Sequence, residues 1–368
     1  MNSRSNLHTE LRSGFTTGTC AAAVAKAATF MLINQKEVNH ISVTLPDGQS
    51  IIMELIKTNY CQSSASCSVI KDAGDDPDVT HGIEIIASAS FSDNIGVSIS
   101  AGKGIGTVTK PGLAVEIGKP AINPVPLKMI TESVAELLPK EKGINIILTV
   151  PTGEQVAQKT FNPRLGIEGG ISILGTSGIV KPMSEDALKD SLVIKLKQLV
   201  AYGYTTAVFS PGNYGKAFSK QQFSYSEDKT VLTSNYIGFM LEQAVRNNFK
   251  TIVIVGHIGK LIKIAGGIFN THSRVADARN EILASHYYKF SNDADAFLQI
   301  MNSNTTEEAS NFITKSEFWD YMAETIKQKA QQYIYNELTV EVVLFSQQRG
   351  ELGRTNKAIS TINTLMNE

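Results

Sequence analysis

The sequence is poor in the features that mark a secreted, metal-stapled or membrane protein. It has three cysteines, Cys20, Cys61 and Cys67, with no CxxC pair and no set of four. That argues against a disulfide scaffold or a structural zinc site, and no protein metal site is expected. Long apolar runs are also missing. The stretch from Ala21 to Ile33 is too short to span a bilayer and carries Lys26, and residues 1–13 are polar rather than signal-like. Nor is there an excess of charge. Lysine plus arginine number 34 and aspartate plus glutamate 35, a formal net charge of -1, so no global field recruits nucleic acid or an anionic membrane. These absences predict a soluble cytoplasmic protein without nucleic-acid or membrane partners. An acidic ligand would have to be held by a few local cations.

What remains is an ordinary globular composition, 42% hydrophobic and 19% charged over 368 residues, enough for two or three domains. In the first half, small hydroxyl residues precede an alanine-rich stretch and predict a helix over Thr19–Leu32. Pro46-Asp47-Gly48-Gln49 between Ile41–Leu45 and Ser50–Ile56 reads as a hairpin. Further strands are expected at 67–70, 83–89, 96–101 and 144–150, and a helix from Pro126 to Leu138. The order is not a clean βαβ alternation, so residues 1–183 are assigned to an α+β domain. From Ser184 onward, helices alternate with short β-branched strands at 205–209, 251–255 and 338–345. That pattern implies an α/β domain, residues 184–368, with a Rossmann-like doubly wound parallel sheet.

Between the two lies a glycine-rich stretch from Val150 to Ser184. A structural crossover with a short strand and a functional loop both fit it, the glycines favouring close approach of backbone to a ligand.

Several clusters carry chemical potential. Arg12 precedes Thr16, Thr17 and Thr19 at a helix start, where free N–H groups and the positive helix end favour anions, although a plain N-cap needs only one threonine. The segment Gly102-Lys-Gly-Ile-Gly-Thr107 contains GxGxG but continues Val-Thr-Lys-Pro-Gly, which begins no helix, so it is not a dinucleotide loop. A glycine-rich hairpin and a ligand-wrapping loop charged by Lys103 and Lys110 are both open. Lys71–Asp78 holds four carboxylates. A solvated turn is the plain reading, a functional acid cluster including Asp72 the other, and the terminal glutamate of a calcium loop is lacking. In the second domain, Val253-Ile-Val-Gly256-His257-Ile-Gly259-Lys260 ends an apolar strand in glycines, and Phe209–Gly215 ends another with Gly212 and Gly215. Open α/β sheets bind ligands beyond such strand ends. His257 and His272 are catalytic candidates, although lone histidines are more often structural.

In order along the chain, the blocks GFTTGTCAAAVAKAA (Gly14–Ala28), VIKDAGDDPDVTHG (Val69–Gly82), GKGIGTVTKPGLAVEIGKPAINPVP (Gly102–Pro126), Val150–Leu188 and GHIGKLIKIAGGIFNTHSRVADAR (Gly256–Arg279) resemble the cobalt-precorrin-5B (C-1)-methyltransferases, the CbiD family of anaerobic cobalamin biosynthesis. Residues 282–318 and the tail after Arg349 add nothing to the resemblance. It implies transfer of a methyl group from S-adenosylmethionine to C-1 of cobalt-precorrin-5B, giving cobalt-precorrin-6A. The cobalt is carried by the tetrapyrrole substrate.

The transfer is an in-line displacement that requires donor and acceptor aligned about 3–3.5 Å apart in a dry site. A sulfonium prefers few cations nearby, whereas the substrate's carboxylates need them. Cofactor and substrate are therefore expected on different walls of an interdomain cleft. Arg12, the three threonines, Lys103, Lys110, Arg164 and Lys181 are the substrate candidates, and Gly212, Gly215, Gly256, His257 and Gly259 the cofactor candidates. Two other readings remain. One is a phosphate- or nucleotide-using transferase, weakened by the missing GxxxxGK[ST]. The other is a non-catalytic corrinoid carrier. A homo-oligomer is compatible with the sequence but not specified by it.

Overall fold

The computed structural model describes residues 11–212, 215, 218 and 229–367. The chain is a mixed α/β protein of two compact units, one up to Glu185 and one from Asp186.

Among the described residues, the first unit holds a five-stranded sheet in the order Ile56–Tyr60, Ser64–Ile70, Glu84–Ser92, Gly143–Thr149, Gly96–Ala101. Its pairings are antiparallel except the last, where Gly143–Thr149 runs parallel to Gly96–Ala101. Alternate residues such as Cys67, Val69, Ile85, Ala87, Ile144 and Ile146 form one buried face. The helix Thr17–Asn34 lies against it, buried along nearly its whole length, with Pro124–Ala135 packed beside it. Alanine explains this burial: it sustains the helix while its small side chain lets both the sheet and the second helix approach closely. The expected hairpin forms as His40–Thr44 and Ser50–Glu54.

The glycine stretch folds into short helices, Gly153–Ala157 and Asn162–Leu165, and short strands. Gly104–Ile105 pairs parallel with Gly170–Ile171, and Thr107–Val108 antiparallel with Ile167–Glu168. The GKGIGT segment is therefore no hairpin. Its glycines also have a different cause from the one expected. Gly104 has φ +80° and a Cβ there would lie 1.9 Å from the Val150 carbonyl oxygen; one on Gly170 would lie 2.2 Å from the Gly104 carbonyl carbon. At these positions glycine lets backbone pack on backbone, not backbone on ligand.

Among the described residues, the second unit holds a five-stranded sheet in the order Thr230–Leu232, Thr206–Ser210, Thr251–His257, Thr339–Ser346, Gly350–Arg354. The first four strands are parallel and the last antiparallel, so the sheet is mixed at one edge rather than wholly parallel. Thr251–His257 is central and apolar on both faces, the pattern of a strand covered twice. On one face Phe209, Ile252, Ile254 and Val342 meet the helices Ile237–Arg246, Ile258–Ala265, Arg279–Ser291 and Glu317–Tyr333. On the other, Val208, Val253, Val255 and Val343 lie under Ala358, Ile362 and Leu365 of the helix Ala358–Asn367. Chain order reverses between Thr206–Ser210 and Thr251–His257, which leaves a crevice beyond their carboxyl ends. No helix among the described residues is long and apolar enough to cross a membrane.

Candidate functional site

That crevice is a cavity of ≈ 320 Å³. Gly212 and Gly215 reach it from the end of Thr206–Ser210, and Gly256, His257 and Gly259 from the end of Thr251–His257. All five cofactor candidates thus line one space. Between Gly212 and Gly215, Asn213 and Tyr214 lie outside the described residues.

His257 shapes the strand-to-helix junction. It is the N-cap of the helix Ile258–Ala265, and its Nδ1 accepts the Gly259 N–H at 3.0 Å. An accepting Nδ1 places the ring proton on Nε2, which donates to Glu307 Oε1 at 2.5 Å. Glu307 also accepts from the Ser346 hydroxyl at 2.6 Å and the Gln347 N–H at 2.8 Å. Burial works against its charge, yet the hydrogen bonds from Ser346, Gln347 and His257 outweigh it and hold the carboxyl below its usual range. Both ring nitrogens of His257 are therefore engaged, an arrangement that orients a cavity wall rather than frees a base.

Lys260 lies in the strand-end segment the sequence singled out; sequence reasoning missed the rest of the lining, including Arg279, Thr305, Thr306, Glu307 and Gln347. Lys260 Nζ donates to the Pro211 carbonyl at 2.5 Å, tying the helix start to the opposite loop. Arg279 is held bidentately by Asp277, at 2.6 and 3.0 Å. Thr305 and Glu308 did carry a legible signal: Thr305 caps the helix Thr306–Ser310 by accepting from the Glu308 N–H at 3.1 Å, a capping-box spacing. His272 lies elsewhere, exposed, its Nδ1 accepting the Arg274 N–H at 3.1 Å.

In the first unit, the threonines serve the fold. Thr16 caps the helix, Thr17 Oγ1 meets the Leu174 N–H at 2.9 Å and the Ser172 carbonyl at 3.2 Å, and Thr19 Oγ1 donates to the Gly178 carbonyl at 2.7 Å. All three are buried, stitching the helix start to the loop. Arg12 grips Asp72 with its guanidinium fork, and its N–H meets Asp75 at 2.6 Å. Hydrogen bonds from Arg12 and the Gly74 N–H hold Asp72 down at about 2, so it is a poor proton acceptor near neutrality.

Lys103, Arg164 and Lys181 are exposed and Lys110 half-buried; among the described residues, no hydrogen bond or ion pair engages these four side chains. Two of them come from backbone segments that lie side by side. The Thr109 N–H donates to the Gly166 carbonyl at 2.7 Å and the Lys110 stem packs over Gly166, two residues beyond Arg164. Lys181 instead follows the pairing of Ile179–Val180 with Gly14–Phe15, on the Arg12 side. Among the described residues, no group of three or more His, Cys, Asp or Glu side chains is placed to hold a metal.

Comparison with known proteins supplies the context. A family model described as CbiD matches residues 4–182, and one described as CbiD, C-terminal domain, matches residues 270–356. A Thermoanaerobacter sp. (strain X514) protein named cobalt-precorrin-5B C(1)-methyltransferase is 46% identical, over 95% of this chain and 97% of its own length. A protein of the same name from Alkaliphilus metalliredigens (strain QYMF) is 43% identical, over 98% and 96%. The one from Moorella thermoacetica (strain ATCC 39073 / JCM 9320) is 44% identical, over 95% and 96%. A 1.9 Å crystal structure of a cobalamin biosynthesis protein (cbiD) from Archaeoglobus fulgidus shares 29% identity, covering 74% of this chain and 84% of that one at a TM-score of 0.39.

Proposed function

The chain belongs to the CbiD family, and from that premise we propose that it methylates C-1 of cobalt-precorrin-5B in cobalamin biosynthesis, as a cytoplasmic enzyme using S-adenosylmethionine. The observation that carries the reaction is similarity to methyltransferases of that name over nearly the full length of both chains.

We read the second unit as a doubly wound sheet whose switch-point cavity holds the donor. When bound there, S-adenosylmethionine supplies an electrophilic methyl on a sulfonium. The lining suits a ligand that bears both charges. Glu307 keeps its charge, Arg279 is neutralised by Asp277, and Lys260 keeps an ammonium held by the Pro211 carbonyl. His257 holds Glu307 in place, and the bare backbone of Gly212 leaves room for the ligand.

The first unit supplies the cations. Lys103, Lys110, Arg164 and Lys181 have no internal partner among the described residues, so their charges are available to the carboxylates of a tetrapyrrole. Phe161, 55% exposed and three residues before Arg164, offers apolar surface for the macrocycle. The cobalt arrives with the substrate.

Calorimetry with S-adenosylhomocysteine, ATP and a corrinoid ligand tests the proposal. Binding of the first and third, without ATP, is expected. ATP binding alone would point to a nucleotide-using transferase, and corrinoid binding without S-adenosylhomocysteine to a carrier.

A further inference from the structure

One polar group in the cavity wall has no role in the fold. Thr306 is 2% exposed, and its hydroxyl has no hydrogen-bond partner among the described residues. A buried hydroxyl left unpaired costs stability, so such a group is a natural place to seek a ligand atom. Thr306 lines the cavity, and a Cβ on Gly259 would come within 3.7 Å of its Oγ1, so the hydroxyl stands beside the first turn of Ile258–Ala265.

Two features at that spot favour a negative charge. The first N–H groups of a helix have no intrahelical acceptor, and its N-terminus carries partial positive charge. Lys260 adds an ammonium with three N–H groups, one of them on Pro211. The side chain next to Thr306 in sequence has the reverse sign. Glu307 accepts three hydrogen bonds, from His257, Ser346 and Gln347, where a carboxylate offers about four acceptor positions. Its charge opposes a multiply charged phosphate but attracts an ammonium.

We propose that Thr306, Lys260 and the start of the helix Ile258–Ala265 bind the α-carboxylate of the methyl donor, with Glu307 receiving its α-ammonium. The inference rests on the donor reading above and adds which end of the ligand enters which end of the cavity. A zwitterionic amino-acid end carries its two charges on one carbon and so matches these adjacent groups of opposite sign, and it supplies the acceptor that the Thr306 hydroxyl lacks.

The test uses two ligands that differ only at that end. S-adenosylhomocysteine has the amino-acid moiety; 5′-methylthioadenosine keeps the adenosine and thioether without it. Thr306→Val is nearly isosteric and removes a hydroxyl the fold leaves unpaired, so the variant should melt no lower than wild type. Calorimetry should show S-adenosylhomocysteine affinity falling about ten- to a hundredfold, the loss of a charge-assisted hydrogen bond. Methylthioadenosine affinity should not change. Equal weakening of both ligands, or of neither, overturns the assignment. Loss of ATP binding in the variant, with S-adenosylhomocysteine unaffected, overturns it in favour of a phosphate. If wild type binds neither thioether, the donor reading itself fails and this inference with it.

Discussion

Nε2 of His257 lies 2.5 Å from Oε1 of Glu307, joining two residues of the cavity lining that stand fifty positions apart in sequence. Because Nδ1 already accepts the Gly259 N–H, the pair is oriented, and on the proposed reading the histidine acts through the carboxylate it holds. His257→Gln should lower stability by about 1.5–3 kcal/mol, the range for a hydrogen bond to a charged group. Turnover should fall without any change in the shape of the kcat–pH profile. Disappearance of an ionisation limb would instead make His257 a proton-transfer residue.

Glu307 gives a pH signature. Its folded-state pKa is lowered, so the stability from its charge is complete above the ordinary glutamate range and is lost as pH falls through the lower folded value. Glu307→Gln should therefore melt below wild type at pH 7, and the gap should close below about pH 4.3. A gap that persists unchanged into acid would show that packing, not charge, is what the substitution removes.

The glycines of the cavity are not equivalent. A Cβ on Gly256 would press within 2.8 Å of Leu261 Cγ, whereas on Gly212 its nearest neighbour is Lys260 Nζ at 3.6 Å. Gly256→Val therefore overpacks the strand end and should cost about 1–3 kcal/mol, confounding any binding measurement. Gly212→Val projects into open cavity. It should keep the wild-type Tm while weakening S-adenosylhomocysteine at least tenfold; undiminished affinity in that variant would put the cofactor elsewhere.

The main elements were legible because their signals are local. Alanine propensity marked Thr17–Asn34, and β-branched runs marked Thr251–His257 and Thr339–Ser346. Ile56–Tyr60 escaped notice because an edge strand exposed along most of its length lacks clear alternation. Gly350–Arg354 escaped because its two glycines and charges read as loop. The candidate site divided in the same way. Glycines ending apolar strands were visible, since strand ends are predictable. Glu307 and Thr306 were not, because they come from a segment brought back only by tertiary packing. The same limit misled the reading of Thr17 and Thr19: hydroxyls at a helix start look alike whether they face an anion or the Ser172–Gly178 loop.

Arg164 is the sharpest test of the first unit. Arg12 has the same fork but is already closed on Asp72, whereas the Arg164 guanidinium is exposed with no partner among the described residues. Removing it breaks nothing in the fold, so Arg164→Ala should leave Tm and S-adenosylhomocysteine affinity unchanged. If the fork grips a substrate carboxylate, its loss should weaken corrinoid binding about ten- to a hundredfold, the value of a charge-assisted hydrogen bond. Arg164→Lys keeps the charge without the bidentate geometry and should recover only part of that affinity. Lys110 packs beside the same turn, so Lys110→Ala should also weaken binding, and the double variant should depart from additivity if both touch one carboxylate. Wild-type corrinoid affinity in Arg164→Ala would move the carboxylate site to the Arg12–Lys181 side of the unit.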